Sequence, residues 1–343
     1  RLHPFLAEPQ DEPIGFLAWL AKEAQSRGVA LMLDLPAELS ADAALAAENP
    51  SWFDTGVPGP DDIVDPREPL RCRSARPRVE DPELRAQLTQ LFADRVLRWV
   101  EAGVTGFRCL RPVALSVDSW RRLITTTRER APGTLFCAWT PGLPAPEVER
   151  LAEAGFDFSF ASTAWWDRRA HWLVEEYEAR RLLVPAIGLA EEPGGRRLAD
   201  SATGPLDAAA RQQLRSAALL GCGYMMTMGF EFGATRPLPL THPEPAEWDT
   251  LTTSPLIDLR AEISSLNDLL KVEALFAERG QMRQVTSEHA AATVIVRNAA
   301  GHASIADKVA VICLNPDGEQ PADLDKATIS SAIAGLFAMP KPV

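Results

Sequence analysis

The chain alternates between amphipathic stretches at helical spacing and short, almost continuous apolar stretches. Residues 16–27 repeat apolar side chains every three or four positions, end at Gly28, and are followed by the apolar run 29–35. The same helix–break–strand unit then recurs along the chain. The further predicted helices are 84–102, 117–130, 146–154, 165–181 and 207–220, and the strands that follow them are 104–110, 134–139, 156–162, 182–188 and 223–228.

Strands that are apolar on both faces are buried on both faces, and alternation with helices implies that they run parallel. A series of such units without interruption favours a closed barrel over an open, doubly wound sheet. The pattern therefore predicts an α/β fold, a (β/α)₈ TIM barrel whose first strands lie upstream of Arg1 or are missing. The chemistry of such a barrel is expected at the carboxyl ends of its strands.

The domain organisation follows from where this pattern lapses and ends. We expect the barrel to occupy residues 1–277, with a Pro- and Asp-rich excursion at 36–83 that forms a functional loop or a small subdomain. A second long loop is predicted at 231–255, before a last helix at 257–277. Period-two alternation at 293–297 and 309–315 predicts a small antiparallel β domain over 278–343.

Composition and charge narrow the class of function. A net charge of -12 argues against nucleic acid as a partner and mildly against anionic membrane surfaces. No apolar run approaches the roughly 20 residues that a membrane-spanning helix needs. The five cysteines and five histidines show no metal-ligand spacing, so we expect free thiols, no metal, no cofactor and a reducing, cytoplasmic compartment.

Several segments, in a fixed order, resemble the α-amylase superfamily of glycoside hydrolases and transglycosylases, and within it the maltose-1-phosphate maltosyltransferases. The segments that carry the resemblance are 28–34 (third strand), 48–53 ("HPEWF"), 99–108 ("WxxxGVxxFR", fourth strand), 135–138 with 150–156 ("LFLAE" and "RLAKLGF") and 228–231 ("SGFE"). The resemblance covers roughly residues 1–277 and implies an α-amylase-type barrel with a terminal β domain.

The resemblance also implies where catalytic carboxylates would stand. The family uses an Asp after strand four as nucleophile, a Glu after strand five as acid/base and an Asp after strand seven. The matching positions here hold Leu110, Trp139 and, in the alignment of 201–204 with "NTPD", Gly204. Retaining glycoside chemistry needs two carboxyl groups flanking the scissile bond, and neither leucine nor tryptophan can attack an anomeric carbon or protonate a glycosidic oxygen.

The remaining candidates for saccharide contact are Asp34, Arg108, Trp139, Asp200 and Glu231. Each has a structural alternative: Arg108 could brace the barrel mouth, and Asp34 could be a strand-end residue. Trp139 could stack on a sugar ring or fill an abandoned pocket. The tryptophans Trp165, Trp166 and Trp172 are interpreted as core rather than as a carbohydrate platform.

Two functional hypotheses follow. The first is a catalytically degenerate domain that binds an α-glucan or malto-oligosaccharide, or acts as a scaffold, as a homodimer or as a partner domain in a longer chain. The second is an active glycosyltransferase or glycoside hydrolase that uses displaced carboxylates, with Asp118, Asp167, Glu191 and Asp200 as the candidates. Loss of the family carboxylates favours the first.

Overall fold

The computed structural model describes residues 11–56, 65, 67, 74–202, 204–237, 245–299, 301, 307–317, 321–322, 324 and 326–337. The chain divides into two compact units, Arg1–Phe160 and Ala161–Val343, which we describe separately. No helix within the described ranges is long and apolar enough to cross a membrane.

The first unit contains the helices and strands that the apolar pattern predicts, together with further short elements inside residues 36–83. Its helices are α1 (Asp11–Ser26), α2 (Ala44–Glu48), α3 (Pro82–Glu101), α4 (Val117–Arg130) and α5 (Ala145–Ala152). Its strands are β1 (Met32–Pro36), β2 (Leu39–Ser40), β3 (Phe53–Gly56), β4 (Ser74–Pro77), β5 (Gly106–Leu110), β6 (Leu135–Ala138) and β7 (Phe158–Phe160). Capping side chains place two helix starts: Asp81 accepts the N–H groups of Glu83 and Leu84, and Ser116 accepts that of Ser119.

Parallel pairing of β1 with β5, β5 with β6, and β6 with β7 forms the sheet of this unit. The predicted parallel relation of 104–110 to 134–139 is confirmed. One face of the sheet carries Phe107 and Phe136, whose rings stack with centroids 5.5 Å apart. Glycine is required at position 106 of β5, because a Cβ there would stand 2.9 Å from the Leu135 carbonyl oxygen.

The excursion predicted at 36–83 contains a small antiparallel sheet of its own. In this sheet β4 pairs with β2 on one side and β3 on the other. Of residues 57–73, only Asp65 and Arg67 are described. The described part of the excursion therefore contains regular β structure.

The second unit continues the helix–strand alternation and then changes to antiparallel strands. Its helices are α6 (Trp172–Arg180), α7 (Leu198–Ser201), α8 (Leu206–Leu220), α9 (Pro245–Thr253), α10 (Arg260–Val272) and α11 (Lys326–Phe337). Its strands are β8 (Ala186–Leu189), β9 (Tyr224–Met225), β10 (Met282–Gln284), β11 (Thr293–Asn298) and β12 (Val309–Leu314). β8 and β9 are parallel, whereas β10, β11 and β12 form the predicted antiparallel sheet.

Three elements of this unit differ from the sequence predictions. The helix predicted at 165–181 begins only at Trp172, because Arg168 adopts a left-handed conformation (φ 65°) and the Asp167 carboxylate binds the backbone N–H groups of Arg169 and Ala170. The strand predicted at 223–228 is reduced to Tyr224–Met225. The loop predicted at 231–255 contains α9, which starts at Pro245, a residue suited to the first turn of a helix.

Arg297 of β11 joins the antiparallel sheet to the helical part of the second unit. Its side chain is fully buried, and its guanidinium donates to the carbonyl oxygens of Leu219 (2.8 Å), Gly221 (2.9 Å), Phe276 (3.2 Å) and Glu278 (2.6 Å). Leu219 and Gly221 lie at the carboxyl end of α8, where orphan carbonyl groups and the helix dipole favour a cation. A buried arginine normally needs a carboxylate partner. Here the dipoles of four peptide carbonyl groups take the place of that carboxylate.

Replacing Arg297 should therefore be among the most damaging changes in this unit. We expect Arg297→Met to lower the free energy of unfolding by about 3–5 kcal/mol, because four buried carbonyls lose their donors at once. Arg297→Lys should cost less, since it keeps the charge but reaches fewer carbonyls. Urea unfolding of both variants checks the prediction. A decrease in the free energy of unfolding of less than about 0.5 kcal/mol for Arg297→Met, as is typical of a surface substitution, contradicts it.

Tyr177 makes the stability of this unit depend on pH in the alkaline range. Its hydroxyl donates to the Gly280 carbonyl oxygen at 2.7 Å, and burial raises the pKa of Tyr177 to about 12. Unfolding restores an ordinary pKa near 10, so above pH 10 the unfolded chain has lost a proton that the folded chain keeps. We expect unfolding free energy to fall between pH 10 and 12 by up to about 1.4 kcal/mol per unit, and Tyr177→Phe to remove this part of the slope. Equal slopes in the wild type and the variant would contradict the assignment.

Candidate functional site

The carboxyl ends of three neighbouring strands in the first unit form the place where a barrel would carry its chemistry. Register pairs Asp34 of β1 with Arg108 of β5, and Arg108 with Cys137 of β6. Leu110 ends β5, and Trp139 follows β6 directly. The structure therefore brings Asp34, Arg108, Leu110 and Trp139, the site residues predicted in this part of the chain, to the same end of one sheet.

Asp34 and Arg108 form a closed ion pair. Nε and Nη2 of Arg108 each donate to a different carboxylate oxygen of Asp34, both at 2.6 Å. The fork-to-fork geometry uses both oxygens of the acid and makes the pair stronger than a single contact. Both side chains are half-buried, so the pair braces the strand ends and leaves Asp34 with little capacity to bind another group.

Trp139 is buried next to this ion pair. Its side chain is 4% exposed, its ring centroid lies 5.2 Å from that of Phe160, and its Nε1–H donates to the Arg67 carbonyl oxygen at 3.2 Å. The Arg108 guanidinium lies 5.5 Å from the centre of the Trp139 ring. The ring therefore lies buried among Phe160, Arg67 and Arg108.

Two more acid–arginine pairs adjoin these residues, and no sequence motif singles them out. Arg111, in a left-handed conformation (φ 50°) directly after Leu110, donates to Glu38 at 2.5 Å. Arg67 donates to both carboxylate oxygens of Asp65, and these hydrogen bonds lower the pKa of Asp65. From sequence, these residues could have been selected only by position: Arg111 directly follows a predicted strand, and Glu38, Asp65 and Arg67 lie inside the 36–83 excursion.

The two cysteines of this sheet do not supply a replacement nucleophile. Burial raises the pKa of the Cys137 thiol to about 12, and burial raises that of Cys109 well above its usual range. A thiol rather than a thiolate is present at neutral pH, and only the thiolate is a strong nucleophile. Within the described ranges, no three His, Cys, Asp or Glu side chains converge as a metal site would require.

In the second unit, the acid that follows a strand is Glu191, two residues beyond the end of β8. Both of its carboxylate oxygens are occupied: one accepts the Leu198 N–H at 2.7 Å, and the other accepts the Thr227 hydroxyl and lies 3.2 Å from Arg197 Nε. Glu191 and Arg197 are both almost fully buried. This is the arrangement of a structural carboxylate whose hydrogen bonds join its own loop to Thr227, which follows β9.

The other predicted residues of the second unit lie in different settings. Asp200 is in α7 and pairs with Arg196 at 2.9 Å on the surface, and Gly204 precedes α8, well beyond the end of β8. Glu231 lies in a short 3₁₀ turn between Gly229 and Gly233, both in left-handed conformations. Its Oε2 is buried without a hydrogen-bond partner within the described residues.

The remaining displaced carboxylates are also engaged. Asp118, in the first turn of α4, pairs with Arg121 at 2.6 Å. Asp167 binds two backbone N–H groups in the turn before α6, as described above. Neither residue lies at the end of a strand.

The sequence was compared with family models and with known proteins. No family model matches the sequence. The chain is 28% identical over 328 residues to an α-1,4-glucan:maltose-1-phosphate maltosyltransferase from Burkholderia pseudomallei, and the match covers 94% of this chain and 29% of that protein. It resembles the maltose-1-phosphate maltosyltransferases. The resemblance inferred from the sequence motifs is thus confirmed.

A second maltosyltransferase relative and the solved structures extend the comparison. A maltosyltransferase from Cereibacter sphaeroides is 27% identical over 229 residues, which cover 64% of this chain and 33% of that protein. The chain therefore spans about a third of the length of these relatives.

Among solved structures, a Geobacillus thermoleovorans α-amylase complexed with acarbose superposes with a TM-score of 0.63 at 14% identity, over 92% of this chain and 72% of that one. A cyclic α-maltosyl-(1→6)-maltose hydrolase from Arthrobacter globiformis gives 0.60 at 18% identity, over 88% and 71%. The predicted fold class, an α-amylase-type barrel with a terminal antiparallel β domain, is confirmed.

The bidentate pair can be tested by removing its acid. We expect Asp34→Ala to lower the free energy of unfolding by about 1–2 kcal/mol, because a half-buried arginine loses a two-point partner. The matched control is Asp54→Ala, which removes an exposed, single-contact partner of Arg78 and should cost about 0.5 kcal/mol. Equal losses, measured by urea unfolding, would show that the Asp34–Arg108 pair has no special role.

Proposed function

We propose that this chain is a catalytically silent α-amylase-type domain that acts in α-glucan metabolism as a scaffold. The observation that carries the proposal is the pair of residues at the ends of β5 and β6, Leu110 and Trp139. Neither side chain can form a glycosyl ester or donate a proton to a leaving group. The burial of Trp139 beside the closed Asp34–Arg108 pair supports a site that is filled rather than open.

The alternative of displaced carboxylates has less support. A retaining mechanism needs two carboxyl groups about 5 Å apart, and an inverting one needs a pair separated widely enough for water. Among the candidates, Asp118 and Asp200 are in surface ion pairs, Asp167 caps a turn, and Glu191 is fully hydrogen-bonded. Glu231 has a buried oxygen without a hydrogen-bond partner within the described residues, but a single carboxylate does not make a pair.

A glucan ligand without turnover is the second candidate. It is favoured by the relatives from Burkholderia pseudomallei and Cereibacter sphaeroides, which are α-1,4-glucan:maltose-1-phosphate maltosyltransferases, and by similar structures solved with acarbose or maltose. If a saccharide binds, a surface other than the buried Trp139 ring must hold it. A homodimer, or a role beside other domains of a longer chain, fits either candidate.

The decisive experiment incubates the protein with maltose 1-phosphate and glycogen and measures released phosphate. We expect no release above that of heat-inactivated protein, while the Burkholderia maltosyltransferase serves as the positive control. Losing general acid catalysis alone costs about 10²–10⁴-fold, and the missing nucleophile adds to that. Release that survives purification and disappears in Glu231→Gln or Asp200→Asn would overturn the proposal.

Electrophoresis through a gel containing glycogen separates the two candidates. A scaffold should migrate equally with and without glycogen, whereas a glucan-binding domain should be retarded. We expect Leu110→Asp combined with Trp139→Glu to remain inactive, because correct side chains also need a supporting shell of hydrogen bonds that Arg108, Asp34 and Arg67 now direct elsewhere.

A further inference from the structure

Arg297 carries a buried positive charge that no acid among the described residues neutralises. The four carbonyl groups described above occupy both terminal nitrogens of its guanidinium, but they supply dipoles and no net charge. Its Nε is buried without a hydrogen-bond partner in the described part of the chain, and no carboxylate there pairs with the side chain. Burying a charge without a counter-ion costs free energy, so the surroundings of Arg297 favour an anion.

The thiol of Cys222 lies directly beside this guanidinium. Nη2 of Arg297 donates to the Cys222 sulfur at 3.9 Å, and the thiol donates to the Glu278 carbonyl oxygen at 3.6 Å. The backbone is anchored at the same residue, because the Cys222 N–H donates to the carbonyl oxygen of Ala186, the first residue of β8, at 2.7 Å. A negative charge on atoms attached to this sulfur would therefore stand against the guanidinium.

Small reagents can reach the Cys222 thiol from solvent. The residue is partly exposed, whereas Cys109 and Cys137 are buried. A Cβ added at the neighbouring Gly223 would meet no atom within 4 Å, so there is open space next to the thiol. Cys313 of β12 is more exposed than Cys222, but no arginine of the described residues hydrogen-bonds to its sulfur. Exposure and contact with a cation therefore favour different cysteines.

We propose that Cys222 is a modification site, at which hydrogen peroxide oxidises the thiol to an anion that pairs with Arg297. In the first step the sulfur attacks one peroxide oxygen, the O–O bond breaks, and the thiol proton leaves with the other oxygen as water. Sulfur loses two electrons, peroxide gains them, and a sulfenic acid forms. A second peroxide adds another oxygen in the same way and releases a second water. The resulting sulfinic acid gives up its proton to solvent at neutral pH, and the sulfinate is the anion beside the guanidinium.

The guanidinium favours both the reaction and its product. During the attack, negative charge passes to the departing peroxide oxygen, and a hydrogen-bond donor next to the sulfur stabilises that charge. Sulfinate oxygens then accept charge-assisted hydrogen bonds from the arginine, which are stronger than the contact of a neutral thiol. At Cys313, partial burial raises the pKa of the thiol, so less of the reactive thiolate is present there. The modification is independent of any saccharide that the chain binds.

Chemical labelling of the whole chain tests where oxidation begins. The protein would be treated with hydrogen peroxide in the presence of dimedone, which reacts with sulfenic acids and not with oxidised methionine, and each cysteine peptide would be followed by mass spectrometry. We expect Cys222 to be labelled at least about tenfold faster than Cys313, because a donor to the developing charge is present only at Cys222. Labelling that follows exposure, with Cys313 equal to or ahead of Cys222, overturns the proposal.

Substitution at the same position tests the pairing with Arg297 without any oxidant. Cys222→Asp places a carboxylate where the sulfinate would stand, and Cys222→Asn is the neutral control of the same shape. We expect the aspartate variant to unfold at a higher urea concentration than the asparagine variant. Peroxide should also raise the unfolding midpoint of the wild type relative to that of an equally treated Cys222→Ala variant. An aspartate variant no more stable than the asparagine one, or an oxidised wild type that unfolds at lower urea, contradicts the assignment.

Discussion

In the first unit, Asp34, Arg108 and Cys137 stand in register on three adjacent parallel strands. Parallel register brings the carboxyl ends of the strands to the same edge, so the residues that end or follow β1, β5 and β6 share one small space. The bidentate Asp34–Arg108 pair occupies part of that space. Arg108 in turn lies over the ring of Trp139, whose indole N–H is bound by the Arg67 carbonyl. The register of β1, β5 and β6 therefore brings together the Asp34–Arg108 ion pair and the buried ring of Trp139.

This arrangement stabilises the strand ends with Leu110 and Trp139 at the positions where the family resemblance implies carboxylates. A pair of carboxylates at the strand ends would have to be desolvated and would repel one another. Leucine and tryptophan at these places bury apolar surface instead, and the remaining acids Asp34, Glu38 and Asp65 each have an arginine. Buried charges in the second unit also have partners. Glu191 forms an ion pair with Arg197, and the charge of Arg297 is stabilised by hydrogen bonds to carbonyl groups.

The order of helices and strands could be predicted from sequence because each apolar run was long and bounded by glycine or a cap. The family motifs added the barrel and located Arg108, Leu110 and Trp139 at strand ends. Other features depended on tertiary contacts that no local pattern contains. The early end of the helix expected from residue 165 depends on the Asp167 turn and the left-handed Arg168. The pairing of Glu38 with Arg111 joins residues far apart in sequence, as does that of Arg297 with four carbonyls. Whether Trp139 was stacked on a ligand or buried could not be decided until Arg67 and Phe160 were placed beside it.

The burial of Trp139 closes the strand ends of the first unit, and fluorine NMR measures this most directly. The protein would be labelled with fluorotryptophan, and Trp139→Phe would assign the resonance of residue 139. We predict a resonance without a solvent isotope shift that does not move when maltoheptaose or maltose 1-phosphate is added. A resonance that senses solvent and shifts saturably with either saccharide would mean that the strand ends form an open sugar site, and would contradict the account.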